Sequence, residues 1–157
     1  MRTTLILGIG NTLLSDEGVG VHVIEHLATH YPSIPGVTLL DGGTLSFTLA
    51  GPIAEHDNLI VIDATQLHAP PGTVRTFMGD DMDRFLSGNR QSVHEVSLTD
   101  LLDIARLSET YPDQRGLIGI QPKILDWGDS LSDQTAGAIE EAAALALQLH
   151  SGWQTPA

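Results

Sequence analysis

A doubly wound α/β sandwich on a mostly parallel sheet is the fold that this 157-residue sequence predicts. Three observations point to it. Short β-rich runs alternate with stretches of helical periodicity, which is the pattern of strands joined by helical crossovers. The length and the 41% apolar and aromatic content suit one hydrophobic core rather than two. One connection is too short to cross over, so one strand of the sheet must run against the others.

The first strand is read at Thr4 to Gly8, a β-branched and leucine-rich run that ends on glycine. A helix follows from Gly18 to Tyr31, because Gly20, Val23, Ile24, Leu27, Ala28 and Tyr31 share one side of a 3.6-residue wheel while His22, Glu25, Thr29 and His30 share the other. The second strand spans Val37 to Asp41. A second helix is expected near Leu45 to His56, shortened or kinked by Gly51-Pro52. The third strand, Leu59 to Asp63, is uniformly apolar until its last residue. Only ten residues separate Asp63 from Val74, and they include Pro70, Pro71 and Gly72, so the fourth strand, Val74 to Met78, is predicted antiparallel. Residues 80–96 are polar, with one helical turn around Met82 to Leu86, and read as a surface excursion. A third helix runs from Leu98 to Leu107 behind Ser97 or Thr99 as cap, and the fifth strand is Leu117 to Ile120. The last helix starts from Ser130 to Asp133 as an S-x-x-D signal and keeps Ala136, Ile139, Ala143, Ala146 and Leu149 on its apolar side as far as His150.

Charge narrows the function classes. Twenty acidic residues against seven basic ones give a formal charge of −13, with Lys123 the one lysine, so a polyphosphate backbone is repelled and nucleic acid is not an expected partner. No apolar run approaches the roughly 20 residues that span a bilayer, so no membrane association is expected and a cytoplasmic location is. Cysteine is absent, which leaves oxygen and imidazole as the metal-binding groups.

Three constellations can carry chemistry. Gly8-Ile9-Gly10 after the first strand, with Asp41 ending the second, imitates a dinucleotide fingerprint. Leu13 stands where its third glycine belongs, and Asp16-Glu17 would oppose a pyrophosphate, so no nucleotide cofactor is expected. His22-Val23-Ile24-Glu25-His26 matches an H-x-x-E-H zinc-peptidase string, yet both histidines lie opposite the core stripe with His30, which reads as a solvated face. The third constellation is dispersed. Ligands of open α/β sheets bind beyond the carboxyl ends of the strands, where the winding reverses. If the first and third strands are neighbours, Asp16-Glu17 and Asp63 meet there, and unrelieved carboxylates so close have raised pKa values that a divalent cation would relieve. His94 can add an imidazole, a set suited to zinc, nickel or a similar ion with positions left open. Each residue also has a plainer reading: Glu17 favouring a helix N-terminus, Asp63 capping a turn, His94 an ordinary loop residue.

At these residues the chain resembles the hydrogenase maturation proteases. The resemblance lies in Gly8-Ile9-Gly10-Asn11-Thr12-Leu13-Leu14-Ser15-Asp16-Glu17-Gly18-Val19-Gly20, Leu40-Asp41-Gly42-Gly43-Thr44, Ile62-Asp63-Ala64, Pro71-Gly72, Ser92-Val93-His94 and Gly119-Ile120-Gln121-Pro122, in the family's order. It implies a three-layer α/β/α sandwich over a five-stranded sheet with one antiparallel strand. It implies an endopeptidase that removes the C-terminal extension of the nickel-iron hydrogenase large subunit, with the family's metal-binding acids and histidine falling on Glu17, Asp63 and His94. In the family the nickel is carried by the precursor itself, and cleavage follows a nearby histidine or arginine.

The expected protein is thus a single catalytic domain over 1–157, a metal-dependent endopeptidase acting on the nickel-loaded large-subunit precursor. Asp16, Glu17, Asp63 and His94 are its expected catalytic set, with Asp16 or a spare carboxylate oxygen as base. Glu17, Asp63 and His94 are the expected metal ligands, for substrate nickel or, in vitro, zinc or cadmium. Asp41, Gly42, Gly43 and Thr44 either receive the extended peptide or form a simple turn. Lys123 to Asp129 offers either an anchor for the precursor's folded body at Trp127 or a tryptophan packed in the core. A monomer is expected. The rival reading is a noncatalytic metal-sensing chaperone of the same precursor.

Overall fold

The computed structural model describes residues 1–88 and 96–154. Five strands, β1 (Thr4–Ile9), β2 (Val37–Gly43), β3 (Asn58–Ala64), β4 (Val74–Met78) and β5 (Gln114–Ile120), form one sheet in the order β2-β1-β3-β5-β4. β1 pairs in parallel with β2 and β3, and β3 with β5. β4 lies antiparallel on β5, as the short connection after Asp63 requires.

Helices cover both faces. The central strands are accordingly apolar on both sides rather than alternating with polar residues. Leu5, Leu7, Leu59, Val61 and Leu117 point toward α2 (Ala50–Ala54), α3 (Asp80–Gly88) and α4 (Leu98–Leu107), meeting Ile53, Met82 and Leu101. Their strand neighbours Ile6, Ile60, Ile62, Ile118 and Ile120 point the other way, toward α1 (Val19–His30) and α6 (Ile139–Gln154), meeting Val23, Leu27, Ala142 and Ala146. The result is a three-layer α/β/α sandwich. Among the described residues no helix is long and apolar enough to cross a membrane.

The local deviations have physical causes. Pro52 sits inside the first turn of α2, where its missing N–H costs nothing, and a 3₁₀ turn at Phe47–Leu49 replaces the start of the expected helix. Residues 80–88 form two turns of helix where one turn in a surface excursion was expected. Met82 is buried, Phe85 and Leu86 pack against the core, and Asp80, Asp81 and Asp83 occupy the N-terminal turn, where the helix dipole favours them. Arg115 locks this helix down. Its Nη2 donates to Asp83 Oδ2 at 2.6 Å and its Nε to Asp83 Oδ1 at 3.1 Å, while the Tyr111 hydroxyl donates to Asp83 Oδ1 at 2.6 Å. Burial pushes the Asp83 carboxyl up, but those bonds outweigh it and hold the group below the usual carboxylate range. Ser97 caps α4 in a reciprocal box with Asp100, accepting from its N–H at 3.1 Å while Asp100 accepts from the Ser97 N–H at 3.0 Å. The last helical segment begins one cap later than expected. Ser132, not Ser130, caps the short α5 (Asp133–Ala136), and Gly137 separates it from α6.

Candidate active site

β1 and β3 lie side by side, and the loops leaving their carboxyl ends open into one groove of ≈ 940 Å³. Glu17 and Asp63 both line it, together with Ile9, Leu45, Leu117 and Leu125. Two of the expected acids therefore meet at the switch point of the sheet, the place such folds use for ligands.

Close backbone packing sets Glu17. A 3₁₀ turn at Ser15–Gly18 carries it directly before α1. Gly10 has φ +145°, and a Cβ there would lie 2.0 Å from the Glu17 carbonyl oxygen. At Gly20 a Cβ would lie 2.2 Å from the Ile62 carbonyl oxygen, so α1 rests directly on the strand that ends in Asp63. The glycines that imitate a nucleotide fingerprint thus serve contact between backbones.

Asp63 sits near the end of β3, opposite Gly119 of β5, and is only partly exposed. Burial, then the negative charge of Glu17, push its carboxyl well above the usual range; a hydrogen bond from the Ala64 N–H acts in the opposite direction. A cation delivered into the groove would lower it again. An oxygen pair of this kind suits a divalent metal with further positions open. His94, the expected imidazole, lies outside the described residues. Among the described residues no three of His, Asp and Glu gather into a metal-holding group.

Asp16, unlike Glu17, does not line the groove. It is 0% exposed. Its Oδ2 accepts from the Lys123 N–H at 2.8 Å, the Ile124 N–H at 2.9 Å and the Ser132 hydroxyl at 2.7 Å, and its Oδ1 accepts from the Ser132 N–H at 2.7 Å. Burial alone would raise its pKa, but these donors bring it down to about 2. A carboxylate so fully engaged makes a poor proton acceptor; its work is to clamp the Glu17 turn to the 123–132 segment.

The turn Asp41 to Thr44 is built by the Gly43 N–H donating to Asp41 Oδ1 at 2.8 Å, and it is tied to the first loop by Gly10 N–H to Gly43 O at 2.8 Å. The register between β1 and β2 slips here, bulging the strand at Gly42. Leu45, next in the chain, lines the groove, whereas none of residues 41–44 does. On α1, His26 stacks on His30 with centroids 4.2 Å apart, and His22 Nδ1 lies 3.8 Å from Glu25. The polar face is less fully solvated than expected, since His22 Nε2 is buried without a hydrogen-bond partner among the described residues. Trp127 is 80% exposed, which removes the core-packing alternative.

Sequence reasoning missed the far wall of the groove. Phe85 and Leu86 of α3, with Leu98, Thr99 and Asp103 of α4, supply it. So do Gln66 and His68, directly after β3, a signal that the switch-point logic could have used. Ser15 (φ 50°), Leu45 (φ 66°), His68 (φ 53°) and Glu109 (φ 58°) adopt left-handed backbone without being glycine, and of these Leu45 and His68 line the groove. Strain of that sort, about 1–3 kcal/mol per residue, collects at functional sites.

Comparison with known proteins agrees with this architecture. A family model for hydrogenase maturation protease matches residues 21–149. The hydrogenase expression/formation protein HoxM of Azotobacter vinelandii is 41% identical over 145 residues, spanning 92% of this chain and 70% of that protein. The solved hydrogenase maturating endopeptidase HybD of Escherichia coli matches with a TM-score of 0.86 and 34% identity, over 94% of this chain and 91% of the other. The NiFe hydrogenase maturation protease HybD of Thermococcus kodakarensis matches with a TM-score of 0.76 and 28% identity, over 95% and 99%. By sequence and by fold, the chain belongs to the hydrogenase maturation protease family.

Proposed function

We propose that this chain is the endopeptidase that removes the C-terminal extension of a nickel-loaded hydrogenase large-subunit precursor. The observation that carries the reading is the pair Glu17 and Asp63, brought from separate elements into one groove and close enough that the charge of one raises the pKa of the other. Such a pair favours a cation delivered by the substrate over an empty groove. Nickel is here part of the substrate, and Glu17, Asp63 and His94 complete its coordination from the protease side. An ion held by these residues would supply polarisation of the scissile carbonyl or of an attacking water.

The chain's own groups then divide the work. Asp16 is not retained as the base, because its oxygens are occupied by four donors. The spare oxygens of Glu17 and Asp63 are left to take the proton of an attacking water. β2 is a sheet edge, and the Asp41-Gly42-Gly43-Thr44 turn at its end leads into Leu45, which lines the groove, so an extended tail can lie along this edge by strand addition.

The test mixes purified protein with precursor and follows tail release by mass spectrometry. Cleavage of nickel-loaded but not nickel-free precursor is expected, with loss of about 100-fold or more in rate for Glu17→Gln, Asp63→Asn and His94→Ala. Normal cleavage by all three variants would refute the site. A precursor that is bound but left uncut would favour the metal-sensing chaperone.

A further inference from the structure

Four large apolar side chains are exposed on two neighbouring segments, one of which reaches the groove at Leu125: Leu13 (58% exposed), Ile124 (42%), Leu125 (54%) and Trp127 (80%). They come from two segments that are fastened together. The Gly128 N–H donates to Leu13 O at 2.9 Å, the Ser15 N–H donates to Gly128 O at 2.9 Å, and the Ser15 hydroxyl donates to Asp126 O at 2.9 Å. Asp16 grips the Lys123 and Ile124 amides from below. The ridge is therefore rigid, and it is in fixed register with Glu17, one residue beyond Asp16. Folding does not account for it, since burying any of these side chains would be favourable and none of the four is in the core.

We propose that this ridge docks the folded body of the large-subunit precursor, with Trp127 as its anchor; the proposal rests on the functional reading above. Three features select that occupant. Only Leu125 of the four lines the groove, so the ridge lies outside the channel that takes the tail. A rigid platform beside Glu17 gives nothing to a flexible tail but sets the distance from a docked folded body to the cutting point. Asp126 and Asp129 flank Trp127 and are exposed, so the complementary face is an apolar patch edged by lysine or arginine. Trp and a few aliphatic neighbours in this arrangement are the usual energetic centre of an interface.

The experiment uses the full chain and two forms of the large subunit, the nickel-loaded precursor and a genetically tail-less version. Leu13→Ser/Trp127→Ser should raise KM for the precursor at least about tenfold with kcat at saturation unchanged and Tm unaltered. Addition of the tail-less subunit should shift the tryptophan emission of the wild-type protein to the blue, and the double variant should not respond. An unchanged KM in the double variant overturns the proposal. So does a concentration-dependent dimer of the free protein that the two substitutions abolish, which would make a second copy the occupant. Wild-type protein that binds the tail-less subunit through Trp127 yet leaves the precursor uncut would overturn the endopeptidase reading and keep the docking surface.

Discussion

Asp16 and Glu17 are adjacent carboxylates with opposite surroundings, and the difference decides their roles. Asp16, buried under four donors, has its pKa lowered to about 2, while Glu17 lines the groove. A lowered carboxylate contributes stability that is complete above the ordinary value of 3.8 and is lost as pH falls through about 2. That contribution is about 2 kcal/mol. Asp16→Asn, which turns an amide N–H toward backbone N–H donors, should therefore lower Tm at pH 7 by about 5–10 °C. The gap between wild type and variant should narrow between pH 4 and pH 2; a gap that stays constant across that range in thermal melts would contradict the assignment. The acids were legible in the sequence, but their division of labour was not. The amides that claim Asp16 lie 107 to 116 positions away. The same is true of Trp127, which reads equally well as core or anchor until its loop is placed.

Contacts between elements explain why the glycines of the first loop matter more than their bulk suggests. α1 sits so close to the sheet that a Cβ at Gly20 meets the carbonyl oxygens of Ile62 at 2.2 Å and Ile9 at 2.5 Å. Gly20→Ala should cost about 1–3 kcal/mol and, because Ile62 precedes Asp63, should lower tail cleavage more than its Tm loss implies. Ser97→Ala removes only the cap of α4, at about 1 kcal/mol or 2–4 °C in Tm, and should spare cleavage. Equal effects of the two substitutions on cleavage would argue that the groove does not depend on the α1 contact. The strands were readable because buried parallel strands are continuous apolar runs, and α4 because Ser97 and Asp100 announce it. α3 was not, since Asp80-Asp81-Met82-Asp83 reads as polar loop until Arg115 and Tyr111, from β5 and the loop before it, neutralise Asp83 and the helix buries Met82.

The whole molecule makes a single crevice out of distant pieces of chain. The strand order β2-β1-β3-β5-β4 puts β1 beside β3, and that adjacency carries Glu17 and Asp63 across 46 positions of sequence to one groove. The mostly parallel sheet and its antiparallel β4 were inferable from the alternation of elements and the short Asp63 to Val74 link, while the adjacency of β1 and β3 entered only as a condition; convergence of the side chains was not inferable, because spacing along a chain holds no distance. The crevice brings two carboxyl groups together, and the proposed function stands on their taking up a cation. The direct measurement is a crystal of the protein soaked with zinc and read by anomalous scattering. A peak about 2.0–2.2 Å from carboxylate oxygens of both Glu17 and Asp63 is the expected result. A protein that takes up zinc at His22, His26 or His30 while the space between Glu17 and Asp63 shows no peak would contradict it.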